Sequence, residues 1–119
     1  MTTLIPTAWA ALEAALRERL PVRVTYHGHE RVLCPHALGW HNGRPMLLGY
    51  QAGGWTSTGV LDADPRKRWR CLFVDEVAKV VAEPGKAWAS ADNYDPTHPF
   101  SSIDEVAVAV AASGSRRAS

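Results

Sequence analysis

Four cations surround one tryptophan in the run Arg66-Lys67-Arg68-Trp69-Arg70. On a strand, Arg68 and Arg70 would share one face and Trp69 would take the other. Guanidinium groups placed this way attract phosphate oxygens through charge-assisted hydrogen bonds. A base could then stack on a nearby aromatic ring, with Trp55 and Tyr50 as the candidates. The same run also reads as a solvated basic strand edge, which discourages edge-to-edge aggregation.

A second constellation is His27, His29, Cys34 and His36. Across a hairpin, strand alternation would gather ligands from both strands into a zinc-like set. The spacing matches no common zinc module, and a turn at Gly28 puts His29 inside the turn. Cys34 reads instead as a small buried hydrophobe. Neither Cys34 nor Cys71 lies in a Gly-rich elbow or at a helix start, where a thiolate nucleophile is favoured. The chain carries no P-loop, no Gly-x-Gly-x-x-Gly after a strand and no paired-carboxylate signature. The expectation is a binding module, not an enzyme, with no cofactor and no metal.

The chain of 119 residues fits one domain. Such a domain buries roughly two-thirds of the surface its unfolded chain exposes, so no staple is required. The apolar share of 46%, the charged share of 21% and the net charge of +1 are ordinary. They exclude a globally polyanion-seeking protein but not a local basic patch. Two cysteines are too few for a secreted disulfide scaffold. Residues Met1 to Pro6 carry no signal-peptide pattern, and no stretch approaches the roughly 20 apolar residues of a membrane span. A cytoplasmic location with free thiols is expected.

At the N-terminal end, Thr7 can cap a helix in which Trp9, Leu12, Leu16 and Leu20 form one apolar stripe. Pro21 ends it. Period-two patterning follows in Pro21 to His27, with Val22, Val24 and Tyr26 on one face. Arg31 to Trp40 reads as a second strand, interrupted near Pro35 and Gly39, where proline suits an edge or a bulge. Asn42-Gly43 is a strong hairpin signal leading into a third strand, Pro45 to Gln51. Ala52 to Pro65 is a long loop whose Gly53-Gly54-Trp55 either adapts to a ligand or packs back on the domain. Arg68 to Val74 and Val77 to Glu83 complete five strands, with a corner at Asp75 and Glu76.

Beyond Pro84-Gly85, Trp88 and Tyr94 are aromatic anchors in a stretch without period. Ser102 and Glu105 fit a capping box for a helix, Ile103 to Ala112, although its Val/Ala alternation also reads as a strand. Val106, Val108 and Val110 would cover more than one face of that helix, which favours a homodimer. Gly114 to Ser119 reads as a disordered tail. The expected fold class is α+β, mainly β: a small five-stranded barrel or strongly bent sheet with an N-terminal and a C-terminal helix. The expected divisions are a barrel domain over 1–100, a C-terminal helix over 101–112 and a tail over 113–119.

The blocks Pro-Val-Arg-Val-Thr-Tyr (21–26), Glu-Arg-Val-Leu-Cys-Pro-His-Ala-Leu-Gly (30–39), Gly-Arg-Pro-Met-Leu-Leu-Gly-Tyr (43–50) and Arg-Trp-Arg-Cys-Leu-Phe-Val-Asp-Glu-Val (68–77) together resemble the WYL domain, over residues 8 to 83. The resemblance implies an SH3-like or Sm-like barrel. It also implies a bacterial regulatory module, in transcription or defence, that senses a nucleotide or single-stranded nucleic acid in a basic, aromatic groove. On that basis Arg31 and His36 line the groove, Arg68 and Arg70 neutralise phosphate, and Tyr50 and Trp55 offer stacking.

The sequence departs from the family pattern. Pro45-Met46-Leu47 replaces the Trp-Tyr-Leu triplet. Phe73 and Glu76 hold two positions that carry arginine in the family, around Val74-Asp75. Only about twenty residues precede the first strand, too few for a helix-turn-helix, so a regulatory partner protein would supply the DNA-binding part. The lost arginines leave a second expectation open: a protein-interaction or oligomerisation module without a small ligand.

Overall fold

The computed structural model describes residues 7–54, 61, 63–94 and 105–110. Helix α1, Thr7–Glu18, buries Trp9, Leu12, Ala15 and Leu16. The stripe works because these residues recur on one side of a 3.6-residue repeat. The helix stops at Arg19, whose φ of 55° is left-handed. The Arg19 N–H donates to Leu16 O and the Leu20 N–H to Ala15 O at 2.9 Å, which satisfies the last carbonyls before Pro21. The cap expected of the Thr7 side chain lies outside the described residues.

Among the described residues six strands follow: β1 Val22–Tyr26, β2 His29–His41, β3 Arg44–Gly54, β4 Trp69–Phe73, β5 Val77–Ala82 and β6 Glu105–Ala109. They form one antiparallel sheet in the order β4-β3-β2-β1-β5, with β6 on β2. Two tight turns set the register of the first three strands. His27-Gly28 has φ values of 51° and 81°, and Asn42-Gly43 has 51° and 80°. Paired left-handed residues match the twist of the strands they join. The turn thus falls at His27-Gly28, and His29 pairs with Tyr26 in the ladder instead of sitting in the turn.

Helix α1 packs on β2 and β5, and Leu12 and Leu16 join Val22, Val24, Leu33, Leu38 and Leu47 in one core. A one-turn 3-10 helix, Val74–Glu76, links β4 to β5 at the expected corner. No ladder joins β4 to β5 among the described residues. Among these residues the sheet is therefore not closed by hydrogen bonds into the expected barrel.

Strand β2 runs unbroken through Pro35, because the proline sits at a bulge. Pro35 opposes Gly49 and Ala37 opposes Leu48, so His36 is the extra residue. On one edge β2 pairs with β3 through residues 31–41. On the other it pairs with β1 through residues 29–33 and with β6 through residues 37–40. The bulge is where β2 changes partner.

The helix expected over 103–112 is not formed at its described residues, which are strand β6. Valine loses rotamer freedom in a helix and favours a pleated surface. The edge that β2 exposes past the bulge supplies the hydrogen-bond partners. Trp55, Ser102 and the tail over 113–119 lie outside the described residues.

Candidate ligand-binding site

The bulge re-aims His36. Its side chain is 1% exposed and lies among aromatic rings. Trp88 stacks on it at 4.8 Å between centroids, while Trp69 and Tyr94 meet it edge-on at 4.7 and 4.9 Å. Nδ1 lies 2.7 Å from the Cys34 carbonyl and Nε2 lies 2.9 Å from the Ser90 hydroxyl. A carbonyl only accepts, so Nδ1 carries the proton and Nε2 accepts from Ser90. Burial disfavours the imidazolium and lowers the His36 pKa to about 4. His36 is thus a neutral, fixed strut at neutral pH.

Residues 88–94 form a strap across this end of the sheet. Trp88 stacks on His36, and the Ala89 N–H donates to Cys34 Sγ at 3.3 Å. Asn93 Oδ1 accepts from the Trp69 indole at 2.9 Å, and Asn93 Nδ2 donates to the Arg66 carbonyl at 3.2 Å. The Tyr94 hydroxyl donates to the Val110 carbonyl at 2.7 Å and lies 3.2 Å from the His36 carbonyl. The Val110 N–H closes the same junction, donating to His36 O at 2.8 Å.

The basic run begins on a 3-10 turn, Pro65–Lys67, and not on a strand. Asp64 caps it, its carboxylate accepting from the Arg66 N–H at 3.0 Å, with Pro65 pre-setting the first φ. Arg68 is the C-terminal cap residue, with φ −96° and ψ 11°. Arg68 and Arg70 therefore do not share a strand face, because β4 starts only at Trp69. Arg66 and Lys67 are exposed and Arg68 is half-buried. A cleft of about 370 Å³, lined by Asp64, Pro65, Arg66, Ser90, Ala91 and Asp92, lies between this turn and the strap.

Arg70, Tyr50 and Arg31, also expected as contact residues, are held by neighbours within the domain. Arg70 gives its Nε proton to Gln51 Oε1 at 3.0 Å and its Nη1 protons to the Lys67 and Trp69 carbonyls. Tyr50 is 3% exposed and meets Trp69 edge-on at 5.0 Å. Arg31 holds its guanidinium 5.4 Å from the Tyr26 ring centre, at the β1–β2 hairpin. His36, Tyr50 and Trp69 thus come together, with Arg70 beside them, whereas Arg31 stands apart.

A second charged cluster surrounds Phe73 and Glu76. Arg44 of β3 lies 3.7 Å over the Phe73 ring and pairs with Asp75 at 2.7 Å and Glu76 at 2.8 Å. His27 reaches the other Glu76 oxygen at 2.5 Å. The His27 hydrogen bond, then that of Arg44, holds the Glu76 carboxyl below the usual range. This cation is therefore matched by two carboxylates.

Sequence reasoning missed Ser90, Asp92 and Asn93. Their signal was faint: Asp-Asn is a turn-forming pair between two aromatic anchors. Among the described residues, no group of three or more His, Cys, Asp or Glu side chains is placed to hold a metal ion. Nor is any helix there long and apolar enough to cross a membrane.

No family model matches the chain, and no curated protein matches it. Among solved structures, the fold is similar to proteasome accessory factor B/C of Arthrobacter aurescens. The TM-score is 0.58 at 18% identity, covering 82% of this chain and 15% of that one. The chain therefore spans a small fraction of that protein's length, and the likeness is one of fold.

Proposed function

We propose that this domain is a WYL-like regulatory binding module, not an enzyme, that recognises a phosphate-bearing ligand over the basic turn at Arg66, Lys67 and Arg68. The ligand class is a nucleotide or a single-stranded nucleic acid. The observation that carries the reading is the capped 3-10 turn, which raises consecutive cations beside an open cleft. Phosphate contacts need cations held at the surface and pre-organised, so that little side-chain entropy is lost on binding.

Arg68 keeps the role expected of it, now with Arg66 and Lys67. Arg70 braces the turn through the Lys67 carbonyl, and His36 and Tyr50 pack on the adjoining Trp69. Trp55 is the proposed stacking partner. The likeness in fold to a proteasome accessory factor fits a regulatory module.

The test is fluorescence anisotropy with labelled single-stranded DNA and RNA. Wild type should bind, and the triple variant Arg66→Ala/Lys67→Ala/Arg68→Ala should not. A triple variant that binds as wild type does would remove the turn from the site.

One observation favours a second reading, assembly through the C-terminal strand. Among the described residues β6 pairs only with β2, and its Val106 is 38% exposed. An open strand edge with an exposed valine is a template for another chain. Light scattering on wild type and Val106→Asp separates the two readings. A dimer that the aspartate splits would favour assembly.

A further inference from the structure

The guanidinium of Arg66 is already engaged. Its Nε and Nη2 donate to the two carboxylate oxygens of Asp92 at 2.7 and 3.1 Å. This two-point geometry is the one a guanidinium also offers to phosphate. The Arg66 hydrogen bonds, then its charge, hold the Asp92 carboxyl below its usual range, so it is ionised at neutral pH.

The strap that carries Asp92 does not depend on this pair. Trp88, Ala89, Ser90, Asn93 and Tyr94 fasten it through His36, Cys34, Trp69 and Val110. Asp92 can therefore swing away while the strap backbone stays. The pair itself is open to water, with the two side chains 62% and 73% exposed. Ion pairs that exposed contribute little stability and exchange partners readily.

We infer that Asp92 occupies Arg66 in place of the ligand's phosphate, so that the binding face is self-neutralised at rest and selects ligands that end in a phosphomonoester. The inference rests on the reading of the basic turn as a phosphate site. Its selectivity follows from charge. An internal phosphodiester carries one negative charge, as Asp92 does, and gains little by replacing it. A terminal phosphate carries about −1.5 to −2 at neutral pH and three acceptor oxygens, so it outcompetes the carboxylate.

The remaining polar groups of the cleft agree. The Ser90 proton is given to His36, and Asp64 keeps its carboxylate on the turn. Neither donates to an anion. Arg66 is then the group on which capture of phosphate at the cleft turns.

The experiment compares labelled single-stranded oligonucleotides of one sequence, with and without a 5′-phosphate, on wild type, Asp92→Asn and Asp92→Ala. Thermal melts confirm that each variant is folded. Wild type should prefer the 5′-phosphorylated strand. Both variants should bind the unphosphorylated strand about five-fold more tightly, gain less with the 5′-phosphorylated strand, and so lose most of the preference. Variants that bind as wild type does, with no preference in wild type, would overturn this inference and leave the basic turn standing. Absence of binding by every folded protein would overturn the basic-turn reading itself, and this inference with it.

Discussion

Arg70 donates its Nε proton to Oε1 of Gln51 at 3.0 Å, and Gln51 is completely buried. An arginine that sequence reasoning placed on the ligand is a strut between β4 and β3. Gln51 in turn gives a proton to the Gly53 carbonyl at 3.0 Å, so the contact also steadies the end of β3. Arg70→Ala withdraws a charged donor from a buried amide. The expected cost is about 1–3 kcal/mol of stability, read as a lower urea midpoint. Lys67→Ala, on an exposed side chain, should change stability by less than about 0.5 kcal/mol. Equal midpoints for the two variants would contradict the assignment.

His36 predicts a pH dependence. Its folded pKa is about 4 against an ordinary 6.5. Between those values the unfolded chain binds a proton that the folded chain refuses. Stability is therefore full above the upper value and falls as pH drops toward the lower one. The loss reaches about 3 kcal/mol at most. Glu76 and Asp92 have folded pKa values below their ordinary 4.5 and 3.8, so their contributions are lost only in more acid solution. Urea midpoints that stay flat from about pH 7 to about pH 5 would contradict a buried, neutral His36.

Tyr94→Phe tests the junction where β2 changes partner. The variant keeps the ring among Trp69 and His36 but removes the proton given to the Val110 carbonyl. A buried carbonyl that loses its donor costs about 1–3 kcal/mol. The effect should be local: amides of β6, Glu105–Ala109, should exchange with deuterium faster than those of β1. Uniform acceleration across the sheet would mean that the hydroxyl serves the whole fold instead.

Much of the fold was legible because local patterns were unambiguous. The Trp9-Leu12-Leu16 stripe, the Val22-Val24-Tyr26 alternation and Asn42-Gly43 each allow one reading, and each appears in the structure. Pro35 was legible as an edge or a bulge, and the structure makes it a bulge. What a sequence does not display is the consequence, that His36 becomes the extra residue and turns inward.

The C-terminal segment was misread because a capping box and a Val/Ala alternation point to different structures. The free edge of β2, a long-range feature, decided for the strand. The site was less legible still. Arg70 and Arg68 look alike in the sequence, yet one ends a 3-10 turn and the other reaches Gln51. Asp-Asn at 92–93 hints at a turn, but nothing local shows that Asp92 pairs with Arg66, 26 residues away.

The central claim, phosphate recognition on the basic turn, is tested most directly by the salt dependence of single-strand binding. The slope of log K against log salt counts the phosphates neutralised, at about 0.7 per phosphate for single strands. On a 5′-phosphorylated strand, the account predicts that Arg66→Ala/Lys67→Ala/Arg68→Ala makes the slope shallower by about 2 and weakens binding, while the urea midpoint stays near that of wild type. An unchanged slope in the folded triple variant would contradict it.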